Sequence, residues 1–332
     1  MKAKHARYET RGPVPQDVIK SVEFELPAPA AGQATVEVLA APINPSDVLT
    51  LTGEYGMLPP LPAVGGNEGV GRVVALADDV QGLPVGTVVL LPVGCGSWST
   101  HLNLPAKALV PLPPGADPVQ LSMLTINPPT AWLMVSKFVD LQPGDWVIQN
   151  AANSAVGGYL VQIAAMRGIN TLNVVRREQA VEAVKAGGAE HVLVDGDDLP
   201  KQVRAIVGEA PVRLAIDCVG GLSTENLVRC LGEGGILVNY GAMSGERCMI
   251  SPRHFVFRDI SLRGFWLSQW FKRNAADKRM AVFGEIAKLV AQGKLQARVQ
   301  AEYGIEQIQE AVAAAAAGER EGKIVMVPNK TR

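Results

Sequence analysis

Cysteine is scarce, and what there is sits badly for chemistry. Only Cys95, Cys218, Cys230 and Cys248 occur in 332 residues. They form no CxxC and no Cys–His spacing, which argues against a disulfide frame or a zinc module. His5, His101, His191 and His254 form no cluster either. Charge of either sign is not in excess: 31 Lys and Arg against 32 Asp and Glu leave −1, so no global field draws the chain to nucleic acid or an acidic membrane. No apolar run is long enough to span a bilayer, and Met1-Lys-Ala-Lys-His has no apolar segment behind it to form a secretion signal. The expectation is a soluble, cytoplasmic protein with neither nucleic-acid nor membrane partners.

What is present is an α/β pattern with length enough for two domains. Residues 1 to about 120 read as β-rich. Gln33-Ala-Thr-Val-Glu-Val-Leu alternates at period two, and Gly69 to Leu76 and Gly86 to Leu91 are short strands bounded by glycine and proline. Leu121 to Phe138 reads as helical, with an Asn127-Pro-Pro-Thr interruption that must kink or start a helix. Trp146 to Gln149 is then a short buried strand, followed by a turn. Val161, Ile163, Ala164, Ala165 and Met166 give the next segment an apolar helical face, and Thr171 to Val175 is a second strand. This is a βαβ unit of dinucleotide-binding length. Further strands are expected at 191–194, 213–218, 236–240 and 260–265, making six, the number in a complete doubly wound parallel sheet. The tail holds a helix at 275–292, a strand near Arg298, a helix from Ile305 through the alanines at 313–317, and a last strand from Lys323.

The turn Asn150-Ala-Ala-Asn-Ser-Ala-Val-Gly157 is a degenerate glycine fingerprint. Ala152 and Ser154 stand where the first two glycines would be, and Gly157 is kept. An ordinary strand–helix turn without a ligand is the alternative. Arg176 and Arg177 come where an NAD-binding unit usually places an acid for the ribose hydroxyls. A guanidinium there suits a 2′-phosphate and favours NADPH over NADH; two solvated arginines are the alternative. In the first domain, 41–47, 51–56 and 61–69 are dense in proline and glycine, the mark of a fixed irregular loop. Tyr55 is the group there able to donate a proton or hydrogen bond, unless it is a packing residue.

Asn44-Pro-Ser-Asp, Gly53-Glu-Tyr-Gly, Pro62-Ala-Val-Gly-Gly-Asn-Glu-Gly-Val, Val147-Ile-Gln-Asn-Ala-Ala-Asn-Ser-Ala-Val-Gly, Asn173-Val-Val-Arg and Leu262-Arg-Gly-Phe-Trp-Leu-Ser-Gln-Trp carry a resemblance over nearly the whole chain. Together they resemble the medium-chain dehydrogenase/reductase superfamily and, within it, the mitochondrial-type trans-2-enoyl-thioester reductases, which reduce enoyl-CoA or enoyl-ACP with NADPH. The resemblance implies an α/β fold: a GroES-like β-rich catalytic domain at 1–121 and 266–332, and a doubly wound six-stranded Rossmann domain at 122–265, with the site in the cleft. It implies Tyr55 as the catalytic residue and NADPH held by Asn127, Asn153, Ser154, Ala155, Val156, Gly157, Arg176, Arg177, Tyr240, Gly241, Ala242, Met243, Phe265, Trp266, Leu267 and Lys323. Asn44, Trp132 and Trp270 are placed in the substrate pocket, although such aromatic residues also serve as plain core. Gly241-Ala242 replaces the family's Gly-Gly and Ser154-Ala155 its Ser-Gly, both small for small.

The zinc-dependent branch has a cysteine near position 44, a histidine where Asn67 stands, and a four-cysteine lobe. None is present here, so a metal-free site is expected, with Glu68 structural. The resemblance also implies a homodimer. The expected reaction is hydride delivery to the β-carbon of an enoyl thioester, Tyr55 hydrogen-bonding the developing enolate or protonating the α-carbon. Reduction of a quinone or enone, and non-enzymatic NADPH binding, are the competing readings. Arg253, Arg258, Lys272 and Arg273 are candidates to meet CoA phosphates or an acidic carrier.

Overall fold

A computed structural model describes residues 1–318 and 320–330. By packing, the chain divides into two units, Met1–Ile126 with the segment from Phe283 onward, and Asn127–Val282. The sequence-drawn borders at 121/122 and 265/266 lie earlier, so 122–126 pack with the first unit and the Phe265–Trp270 string with the second.

The second unit is built on a six-stranded parallel sheet in the order His191–Val194, Asn170–Val175, Trp146–Gln149, Val212–Asp217, Ile236–Asn239, Ser261–Gly264. Its strands are short apolar runs because helices cover both faces of such a sheet. Val147, Ile148, Leu172, Leu214, Ala215, Leu237 and Val238 are fully buried. The chain runs outward from Trp146–Gln149 to one side and then returns to its other side, which makes that strand the topological switch point. The helix expected from Leu121 is two: Pro118–Leu121, then Asn127–Lys137. Pro128 and Pro129 occupy the first turn of the second, where no intrahelical amide bond is lost, so the interruption starts a helix.

The first unit is organised on the long strand Gln33–Ile43, which pairs antiparallel with Val70–Leu76, with His101–Pro105 and, at its C-terminal end, with Lys323–Met326 from the tail. Val299–Tyr303 extends the sheet beside Lys323–Met326. A smaller sheet joins Lys2–Tyr8 to Ile19–Glu25 and Ala63–Val64. The Gly65-Gly66 pair has a packing cause: a Cβ on Gly65 would lie 2.2 Å from a ring carbon of Trp98, which is fully buried. No helix among the described residues is long and apolar enough to cross a membrane.

The helix Ala155–Met166 begins against the turn that precedes it. A Cβ on Gly157 would lie 2.5 Å from the Ala152 carbonyl oxygen, whereas one on Gly158 would meet nothing within 4 Å. Two neighbouring glycines in one helix therefore predict opposite outcomes in a thermal melt. Gly157→Ala should destabilise by about 1–3 kcal/mol, because the turn must shift. Gly158→Ala should be neutral or stabilise by up to about 1 kcal/mol, the ordinary gain of alanine over glycine in a helix.

Candidate active site

All strands of a parallel sheet end on one edge, and the segments that follow four of them are those expected to hold the cofactor. The turn to Gly157 follows Trp146–Gln149, Arg176 and Arg177 follow Asn170–Val175, Tyr240–Met243 follow Ile236–Asn239, and Phe265–Leu267 follow Ser261–Gly264. At the turn, Ala151 adopts a positive φ of 47°, and Ser154 caps the helix with its Oγ accepting from the Gly157 amide at 3.1 Å. The Gly158 amide donates to the Ser154 carbonyl. Helix geometry directs the remaining first-turn amides, Ala155 and Val156, at the space beyond the turn, where the positive end of the helix favours an anion.

Tyr240 is half-buried with its hydroxyl near the side chains of Ser154 and Cys218. Loss of water holds that hydroxyl well above its ordinary 10, so it stays protonated beside the helix cap. Gly241 lies flat on Cys218, where a Cβ would come within 2.8 Å of the sulfur. Arg176 and Asn153 are exposed, Arg177 half-buried, and Ala242 and Met243 exposed. Phe265 and Leu267 are buried, Phe265 edge-on to Phe138 at 6.1 Å, and Trp266 is half-buried. Asn127 is buried at the head of its helix, which packs on Ala155–Met166.

Trp132 and Trp270 both make packing contacts within this unit. The Arg167 guanidinium stacks 4.2 Å over the Trp132 ring, and Trp270 is buried against Phe271. Arg258 also points inward: it donates to His254 Nδ1 at 2.9 Å and to the Leu231 carbonyl, while His254 Nε2 meets Glu225 at 2.9 Å. It is thus a structural residue rather than a phosphate ligand.

Sequence reasoning passed over a set of buried polar groups on this same edge. Gln149 Nε2 donates to Asn173 Oδ1 at 2.8 Å and to the Gly157 carbonyl at 3.0 Å. Asn150 Nδ2 donates to Asp217 Oδ1 at 2.7 Å, and Asn239 Nδ2 to Asp217 Oδ2 at 3.0 Å. A signal was there. Val-Ile-Gln-Asn, Ala-Ile-Asp and Leu-Val-Asn each end an apolar strand on a polar residue, and a buried polar group must find a partner.

In the first unit, Asn44 and Tyr55 bracket one helix, Pro45–Thr52. Asn44 is its N-cap, in a capping box with Asp47, and Gly53 closes it in the left-handed region with φ 89°. Tyr55 follows, half-buried, its amide on the Leu49 carbonyl at 3.1 Å. The two ends are separated by a helix about 12 Å long.

Asn44 is buried and both ends of its amide are engaged. Nδ2 donates to Glu68 Oε1 at 2.7 Å, and Oδ1 accepts from the Lys323 ammonium, which also donates to the Ile43 carbonyl at 3.1 Å. Glu68 Oε2 accepts from the Thr125 amide at 3.1 Å, and Asp47 from the Asn44 amide at 2.8 Å and Asn67 Nδ2 at 2.7 Å. Two buried carboxylates share one buried ammonium. Burial pushes Asp47 up to about 6 and Glu68 up to about 7, and lowers Lys323 to about 8. Glu68 therefore has a structural role with a charge attached, and Lys323 is anchored within its own unit.

An acid whose folded-state pKa is raised binds its proton more tightly folded than unfolded, so its contribution to stability is lost as pH rises. For Glu68 the window runs from its ordinary 4.5 to about 7. Urea melts of the wild type and Glu68→Gln across that range should show the wild type losing on the order of 2 kcal/mol relative to the variant. A pH-independent difference would mean that Glu68 titrates normally.

Residues 30–114 match the alcohol dehydrogenase GroES-like domain, and residues 155–282 the zinc-binding dehydrogenase family. Among the described residues no three His, Cys, Asp or Glu side chains gather as a metal site, and positions 44 and 67 are both asparagine. The mitochondrial enoyl-(acyl-carrier-protein) reductase of Homo sapiens is 40% identical over 306 residues, 90% of this chain and 82% of the relative. A solved complex of Etr1p with NADP and crotonyl-CoA matches with a TM-score of 0.88 at 27% identity, covering 98% of this chain and 100% of that one. The mitochondrial 2-enoyl thioester reductase Etr1p/Etr2p heterodimer from Candida tropicalis matches at 0.87 and 28%, with 98% and 100% covered. The cytoplasmic placement expected from the sequence is corrected by these relatives: the human, rat and mouse proteins are named mitochondrial, not cytoplasmic. The chain belongs to the enoyl thioester reductases of the medium-chain dehydrogenase/reductase superfamily.

Proposed function

We propose that this protein reduces the C2=C3 double bond of trans-2-enoyl thioesters, carried on CoA or ACP, with NADPH. The observation that carries this is the family membership over nearly the whole chain, joined to a sheet edge whose residues fit the cofactor. The fit is local and physical. The missing Cβ of Gly157 lets the helix close on the Ala152 carbonyl, which brings the outward amides of Ala155 and Val156 up to a pyrophosphate. The Arg176 and Arg177 forks suit a 2′-phosphate, and Tyr240–Met243 with Phe265–Leu267 offer backbone and apolar surface on the same edge.

NADPH supplies the hydride when bound; the chain supplies orientation and charge stabilisation. Tyr55, on the loop after the helix Pro45–Thr52, donates a hydrogen bond to the thioester oxygen as negative charge gathers there, and assists protonation of the α-carbon. Asn44 and Lys323 act through the Glu68 network by fixing the start of that helix. Trp132 and Trp270 support the cofactor unit from within.

Tyr55→Phe should lower kcat/KM for crotonyl-CoA at least about 10²-fold with the NADPH Kd unchanged, the range of general acid–base assistance. A wild-type rate would remove Tyr55 from the chemistry. A panel of crotonyl-CoA, a longer enoyl-CoA and a simple quinone, each with NADPH and NADH, should show turnover of the thioesters with NADPH; turnover of the quinone alone would replace this function.

The assembly proposed is a homodimer through Ser261–Gly264, the edge strand of the parallel sheet. It is supported by exposed apolar side chains on and beside that strand: Leu262 at 42%, Val256 at 71% and Phe257 at 78%. An edge strand with apolar neighbours invites pairing with its own copy. In sedimentation analysis the wild type should run as a dimer and Phe257→Glu/Leu262→Glu as a folded monomer; a monomeric wild type would contradict the assignment.

A further inference from the structure

Five N–H and O–H donors converge on the carboxylate of Asp217, which is fully buried, and the Cys248 thiol is a sixth, weaker donor to Oδ2 at 4.0 Å. Oδ1 accepts from Asn150 Nδ2 at 2.7 Å, the Val219 amide at 2.9 Å and the Gly220 amide at 3.1 Å; Oδ2 accepts from Thr224 Oγ1 at 2.7 Å and Asn239 Nδ2 at 3.0 Å. A carboxylate offers about four lone-pair directions, so this one is saturated. Its partners come from different segments. Asn150 is the residue between the switch-point strand and the turn, and Asn239 ends the strand that leads into Tyr240–Met243. Val219 and Gly220 form the loop after Asp217 itself, and Thr224 lies in the helix Gly221–Cys230.

The partners pass the constraint on. Asn239 Nδ2 also donates to the Gly241 carbonyl at 2.9 Å, and the Asn239 carbonyl accepts from the Phe265 amide at 2.9 Å. Asn150 Oδ1 accepts from the Cys218 amide at 2.8 Å, the Tyr240 amide donates to the Asp217 carbonyl at 2.9 Å, and the Met243 amide to the Cys218 carbonyl at 3.0 Å. Three of the four segments assigned to the cofactor, those at 150–157, 240–243 and 265–267, are thereby referred to one buried anion.

We infer that Asp217 is a positioning residue for the reductase: its carboxylate sets the relative placement of the helix-cap turn, the Tyr240–Met243 loop and the Phe265–Leu267 segment, and so sets NADPH affinity without touching the cofactor. This rests on reading that edge as the NADPH site. Charge is essential to the role, because an amide of the same shape replaces one acceptor oxygen by a donor that faces donors.

A structural control lies on the same two strands. Asp145 accepts from the Gln142 amide at 2.8 Å and from Arg213 at 2.7 Å, tying the opposite, N-terminal ends of Trp146–Gln149 and Val212–Asp217. In the full-length protein, Asp217→Asn should raise the NADPH Kd, read by nucleotide fluorescence, and the NADPH KM by about tenfold or more. The KM for crotonyl-CoA at saturating NADPH should stay within about twofold. Asp145→Asn should lower the melting temperature and leave NADPH affinity alone. If Asp217→Asn fails to fold, Asn239→Ser, which keeps Asp217 but cuts the tie to Gly241, carries the test and should raise the NADPH Kd in the same sense. NADPH affinity unchanged in the folded variant, or lowered equally in Asp145→Asn, overturns the inference. A wild type that binds no NADPH instead overturns the cofactor reading beneath it, so the two failures are distinguishable.

Discussion

A polar side chain inside a parallel sheet has no water to bond to, so it must be answered by another part of the chain. At the end of the switch-point strand two such side chains stand next to each other, and they serve opposite halves of the sheet. Gln149 reaches Asn173 on one neighbouring strand and the Gly157 carbonyl in the helix above. Asn150 reaches Asp217 on the other neighbour. The start of the helix, the strand leading to Arg176 and the strand leading to the Asp217 loop are all fixed from these two amides. Apolar packing alone would hold the sheet, but it would leave the heights of the loops on that edge free to vary.

The first unit uses the same device with charges. Lys323 arrives on a strand from the C-terminal tail, whose Ile324 pairs with Ile43, and this register brings its ammonium to Asn44 and Ile43. Glu68 holds the other end of the Asn44 amide. Buried ion clusters add little net stability, since desolvation offsets attraction; their value lies in rejecting wrong registers, because any slip strands a charge. Two carboxylates for one ammonium leave an excess of negative charge, and the proton taken up near neutral pH by Glu68 or Asp47 offsets it. The N-terminal β segment is therefore incomplete without the tail strand, however far apart they are in the chain.

The elements were largely legible because their signals are local. The six strands of the parallel sheet lie within a residue or two of their expected ends, since each is an apolar run closed by a turn. The places of the four segments proposed to hold the cofactor follow from that, because each is what comes after a strand. The partnerships were not legible. Asn150 and Asp217 are 67 positions apart and Asn44 and Lys323 are 279 apart, and no periodicity says which buried amide meets which carboxylate. Aromatic residues are ambiguous for a related reason: Trp132 and Trp270 look alike in sequence whether they line a pocket or pack, and the structure adds the Arg167 guanidinium over one and the burial of the other.

The degenerate fingerprint at 150–157 is accounted for position by position. Glycine is needed in such a turn for positive φ, for close approach of the ligand, and for close packing of the helix. The third need is absolute here, because Gly157 has the Ala152 carbonyl at contact distance. The first is met by Ala151, which takes the positive φ of 47° itself, a conformation costing alanine about 1–2 kcal/mol. At the second position Ser154 instead caps the helix, accepting from the Gly157 amide through Oγ. A serine cap is worth about 1 kcal/mol over alanine and a few tenths over glycine. The turn has thus exchanged backbone freedom for a side-chain cap, and the two missing glycines are compensated within the turn itself.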